Sequence, residues 1–126
     1  MALLPPRKVR LVPPTMPNAG GSVTFIFEAQ STGGTTRLRA TYTVPEPQPY
    51  VFENGTGLDP RVIVGDPHEV TGDPDDYPRE LKLKKSPPGG QPRKNVRVNA
   101  EVVELDGGNQ AVPPAFRLTG RITIVK

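Results

Sequence analysis

Proline falls between the most regular stretches of this sequence, and those stretches alternate apolar and polar residues one by one. In RLRATYTV (37–44), Leu38, Ala40, Tyr42 and Val44 share one side, with Arg37, Arg39, Thr41 and Thr43 on the other. In NVRVNAEV (95–102), Val96, Val98, Ala100 and Val102 oppose Asn95, Arg97, Asn99 and Glu101. In FRLTGRITIVK (116–126), Phe116, Leu118, Gly120, Ile122 and Ile124 oppose Arg117, Thr119, Arg121, Thr123 and Val125. Successive side chains of a strand point to opposite faces, so a period of two sustained this long reads as a half-buried β-strand.

Shorter segments fill the gaps. SVTFIFEA (22–29) turns Val23, Phe25, Phe27 and Ala29 inward, and STGGTT (31–36) is expected to return the chain to RLRATYTV as a hairpin. RVIV (61–64) is continuously apolar, which suits a central strand or one covered on both faces. ELKLKK (80–85) alternates leucine with lysine, the composition of an edge strand that resists foreign pairing. VRLV (9–12) adds one more. Apolar residues nowhere recur at helical spacing over three turns.

The expected fold is therefore all-β. It is an antiparallel β-sandwich, immunoglobulin-like or jelly-roll-like, or a small β-barrel, of about seven to eight short strands with almost no helix. The chain contains neither tryptophan nor cysteine, so the residues that mark an antibody domain are missing. Residues 1–17 read as an extended proline-rich arm and 18–126 as one sandwich domain. A length of 126 residues suffices for a core without disulfides. MALLPPRKVR places its short apolar patch before its basic cluster, the reverse of a secretory signal, and no apolar run is long enough to cross a bilayer. A soluble chain is expected, with no membrane partner and no cofactor; the compartment is not specified.

The charges come in blocks. From Asp59 to Asp76 there are six acids against one base, and from Arg79 to Arg97 seven bases against one acid. The single histidine lies in the acidic block, in GDPHEVTGDPDDYP (65–78). Calcium takes six or more oxygens from a flexible loop, and Asp66, Glu69, Asp73, Asp75 and Asp76 offer carboxylates. Their spacing does not match an EF-hand, and His68 alone gives zinc too little nitrogen. Asp-Pro and Gly-Asp pairs initiate turns, so a solvated loop is the favoured reading. No serine sits in a nucleophile elbow, and the glycine-rich stretches lack a phosphate-loop lysine, so an enzyme is not expected. Asn54-Gly55-Thr56 fits a glycosylation acceptor, although Asn-Gly reads better as a tight turn.

Two stretches suggest a partner instead. Arg37, Arg39, Arg97, Arg117 and Arg121 fall on the polar sides of their strands; on a shared sheet they would stud one outer face with guanidinium groups that fork onto carboxylates or phosphates. In the arm, Leu3, Leu4 and Leu11 offer apolar anchors among Arg7, Lys8 and Arg10, and prolines hold the segment extended at little entropic cost. The arm has two possible seats, a neighbour's surface or the chain's own sandwich. Net charge is only +3 and Tyr42 and Phe116 point inward, which argues against nucleic acid. The expected function is a non-catalytic structural protein binding neighbouring subunits of an oligomeric assembly. Its setting would be a virion or phage particle, as a capsid decoration or cement protein or a small tail component. The alternative is a module that binds an acidic glycan or another polyanion through the arginine face.

Overall fold

The computed structural model describes residues 2–45, 48–55, 57–89 and 93–125. These form twelve strands: β1 (Ala2–Leu3), β2 (Arg7–Val12), β3 (Thr15–Pro17), β4 (Gly20–Ala29), β5 (Ser31–Thr32), β6 (Thr36–Thr43), β7 (Tyr50–Phe52), β8 (Val62–Val64), β9 (His68–Val70), β10 (Asp75–Lys85), β11 (Asn95–Leu105) and β12 (Ala111–Val125). Among the described residues there is no helix. One layer runs β2-β4-β10-β7; the other, curled into a half-barrel, runs β3-β12-β11-β6-β8, with β9 also on β6. A short ladder joins β1 to β5.

The core fills the space between the layers. Val23, Phe25 and Phe27 of β4 and Leu81 and Leu83 of β10 meet Leu38, Ala40 and Tyr42 of β6 and Val96, Val98 and Val102 of β11. Burying each of these valine, leucine and phenylalanine side chains contributes about 1.5–3 kcal/mol before entropy is counted. Phe25 meets Tyr42 edge to face at 5.3 Å between ring centres. Gly120 of β12 makes room for Phe25: a Cβ there would lie 2.8 Å from the Phe25 ring and 3.1 Å from a Leu11 methyl.

The alternation fixed the inner and outer faces of β4, β6, β11 and β12 as expected, but partners and connections differ in four places. The segment after β4 does not make a hairpin with β6. Instead β4 pairs with β2 and β10, and residues 30–35 carry the chain across to the other layer. RVIV is neither central nor covered: β8 pairs only with β6, at the rim, and Val64 is 50% exposed. ELKLKK belongs to a longer strand, with β4 along one side and β7 on the other only over Leu83–Lys85. Finally, β3 runs parallel to β12, an exception to the antiparallel plan. There are more strands than seven or eight because the proline-rich connections still catch brief ladders of two or three residues.

Residues 2–17 belong to this architecture. β2 pairs with β4, Pro13 and Pro14 turn the chain between layers, and β3 pairs with β12, so one segment joins the two layers along that side. Leu3, Leu11 and Met16 are buried in the common core. The expected arm therefore has its apolar anchors seated on its own sandwich.

Two outcomes follow. Gly120→Ala should destabilise the protein by about 1–3 kcal/mol through overpacking against Phe25, read as a lower urea midpoint at unchanged slope. Deleting residues 1–17 uncovers β4 and β12 and removes three core side chains; the truncated chain should lose its cooperative thermal transition in circular dichroism.

Candidate functional site

Three neighbouring strands, β12, β11 and β6, build the outer face of the six-stranded layer. Their registers stack its residues in rows. Arg97 faces Arg121; Asn99 lies between Thr119 and Thr43; Glu101 lies between Arg117 and Thr41; Val103 faces Arg39 and Leu105 faces Arg37. At 3.4 Å per residue the face extends about 27 Å from the Arg97 row to the Leu105 row. All five arginines named from the sequence share this face.

Their surroundings are unequal. Glu101 reaches Arg117 at 3.9 Å, an exposed pair worth little by itself. Arg37 donates to the Asp106 carbonyl at 2.5 Å and faces Glu69 of β9 across its ladder. Among the described residues, Arg39, Arg97 and Arg121 form no ion pair. Arg97 and Arg121 are direct cross-strand neighbours, an arrangement of like charges that opposes sheet formation. A shallow depression of about 200 Å³ lies beside them, lined by Thr41, Thr43, Asn99, Glu101 and Arg117.

The backbone under Arg97 is held by a side chain. Beyond Thr43 the chain leaves the β11 ladder at Val44-Pro45, and buried Gln48 takes over. Its amide nitrogen donates to the Arg97 carbonyl at 2.8 Å, and its oxygen accepts from the Arg97 N–H at 2.6 Å. Asn54 does the same for β10, donating to the Glu80 carbonyl at 2.9 Å and accepting from the Lys82 N–H at 3.0 Å. Asn54 thus has a structural task; Thr56 of the glycosylation pattern lies outside the described residues.

The basic residues near the amino terminus lie elsewhere. Arg7 and Lys8 reach Glu28 at 2.9 and 3.5 Å, and Arg10 reaches Asp76 at 2.9 Å, all on the outer face of the four-stranded layer. The Arg7 hydrogen bond holds the Glu28 carboxyl below its usual range. Leu4 is half-buried and donates its N–H to the Gln30 carbonyl, while Leu3 and Leu11 are 5% and 7% exposed. Leu3 and Leu11, named as anchors for a partner, fill the core between the layers of their own sandwich. The two groups of basic residues are not brought together.

The acidic stretch is not one loop. His68–Val70 forms β9 on β6, and Asp75 opens β10. Asp75 caps the Asp76 N–H, Asp76 serves Arg10, and Asp66 and Asp73 are exposed. Among the described residues no three histidine, cysteine, aspartate or glutamate side chains converge on one point.

No protein-family model matches this chain, and no curated protein is similar enough to match it.

Replacing Arg121 with threonine removes the repulsion opposite Arg97 and should raise stability by about 0.2–1 kcal/mol. Part of the gain should vanish in high salt, which screens the exposed pair. Urea unfolding at two ionic strengths measures both effects.

Proposed function

We propose that this chain is a non-catalytic assembly protein that docks the arginine face of its six-stranded layer onto an acidic surface of a neighbouring subunit. The observation that carries the reading is the Arg97–Arg121 pair, held in direct opposition and without a carboxylate. An acidic partner surface would convert that repulsion into forked, charge-assisted hydrogen bonds. The row between Arg97–Arg121 and Arg117 holds Thr119, Asn99 and Thr43 and no aromatic ring, so the face suits polar docking better than base stacking. The setting we propose remains a particle built of many subunits, such as a virion or phage, in which a small cysteine-free sandwich serves as a decoration, cement or tail component.

A second reading has the same face bind an acidic glycan. Four rows with arginine along a sheet also fit a linear polyanion, and such binding falls steeply with salt.

The test is the mass of the native particle. Wild-type protein should travel with its assembly in light scattering, while a triple variant, Arg97→Ser, Arg117→Ser and Arg121→Ser, should remain folded and travel as a free chain. A wild-type chain that is monomeric in its native extract, yet retained on a sulfated glycan column until moderate salt, would overturn the assembly reading in favour of the glycan.

A further inference from the structure

The layers are joined by the β2–β3 segment along one side and part along the other, where β9 and the Gly65 corner face the first half of β10. In β10 the inward phase set by Leu81 and Leu83 extends back to Arg79 and Tyr77. An arginine thus points into the space between the layers. The phase was readable in DDYPRELKLKK, but Arg79 opens the basic block and reads there as one more solvated charge.

At this seam lies a cavity of about 210 Å³, walled by Phe27, Leu38 and Ala40 and bordered by Tyr42, Tyr77 and Arg79. Gly65 keeps it close to β6: its N–H donates to the Ala40 carbonyl at 2.9 Å, and a Cβ would lie 2.8 Å from that oxygen. Tyr77 frames the opening, stacked on Phe27 at 5.6 Å and donating its hydroxyl to the Glu69 carbonyl at 2.8 Å. Among the described residues the Arg79 guanidinium makes no hydrogen bond or ion pair and the Tyr42 hydroxyl no hydrogen bond, and neither is sealed from solvent: their polar atoms open into the cavity. Tyr42 is only 3% exposed. Burial pushes its hydroxyl up to about 12 against the opposing pull of Arg79, so it remains a donor at ordinary pH. Asp76 also borders the cavity, but its carboxylate is engaged by Arg10.

We infer that this seam cavity binds a small organic monocarboxylate with an apolar body, its carboxylate gripped by Arg79 and Tyr42. A guanidinium at the mouth of an apolar cavity, with only solvent as its partner, is matched best by a carboxylate that forks onto it. One unmatched positive charge calls for a monoanion, and a phosphate dianion would bring too much charge into apolar walls. A cavity of roughly 150 Å³ already holds benzene, so the present one has room for a ring bearing a carboxylate. The site opens between the layers rather than on the arginine face, so it stands or falls separately from the docking proposed there.

Benzoate is the probe, with benzyl alcohol as its neutral counterpart and inorganic phosphate as the bare anion, each titrated into the full chain and followed by nuclear magnetic resonance. Benzoate should give saturable shifts at Arg79, Tyr42 and Phe27, and benzyl alcohol and phosphate should each bind roughly 10-fold more weakly or worse. Arg79→Gln should weaken benzoate by roughly 10-fold or more with its spectrum otherwise that of a folded protein, and Tyr42→Phe should have a smaller effect. An inward charge that serves only to deter pairing at the strand edge would show no saturable benzoate binding, or binding that Arg79→Gln leaves unchanged. Either result overturns the site, as does phosphate binding as tightly as benzoate.

Discussion

A backbone N–H or C=O that leaves a ladder must find another partner, and leaving one buried and unpaired costs about 1–3 kcal/mol. Seventeen prolines make such departures frequent in this chain. Where Pro45 takes the chain off β11, Gln48 supplies both a donor and an acceptor to Arg97. Where β7 stops pairing with β10, Asn54 does so for Glu80 and Lys82. Each side-chain amide imitates one more residue of strand. Long strands can therefore run beside short ones, and among the described residues no buried side-chain nitrogen or oxygen is left without a partner.

The same rule explains why one side of the sandwich closes and the other parts. On the closed side, β2 and β3 pair with edge strands of opposite layers and Pro13-Pro14 bridges them. On the parted side, the contacts of Asn54 with Glu80 and Lys82 place the even residues of β10 toward its outer edge, so Pro78 sits there with no N–H to offer. That edge cannot carry a continuous ladder. The facing edge is itself broken into β8 and β9 around Gly65. Two interrupted edges leave a gap bridged by the Tyr77 hydroxyl, and Arg79 points into it.

Much of this was legible in the sequence, for a definite reason. Alternation states which face a residue occupies, so the inward set of β4, β6, β11 and β12 and the shared orientation of five arginines could be read directly. It does not state which strand lies alongside. STGGTT has the length and glycines of a hairpin turn, yet an arch between layers needs the same ones, and the choice depends on β10 (Asp75–Lys85) arriving much later in the chain to pair with β4. The short apolar run of RVIV fits a central strand equally well; it lies at the rim because no later segment is left to cover it. Arg79 escaped notice because a charge inside an alternating segment looks exposed until the phase of its neighbours is applied to it.

The charge blocks show how far sequence proximity misleads about electrostatics. Acidic Asp76 is matched by Arg10, sixty-six positions away, and Glu28 by Arg7 and Lys8. The outer face of the four-stranded layer thereby balances these charges within its own fold. On the six-stranded layer, Glu101 stands in the middle row and Glu69 at the Arg37 end, and Arg97 and Arg121 face each other at the other end. A charge already matched gains little from meeting an acidic body, because the new contact must displace an old one. A surface holding two like charges in register gains from the first carboxylate that reaches it. That pair in register, rather than the modest net charge, is what supports the proposal of an acidic partner at β11 and β12.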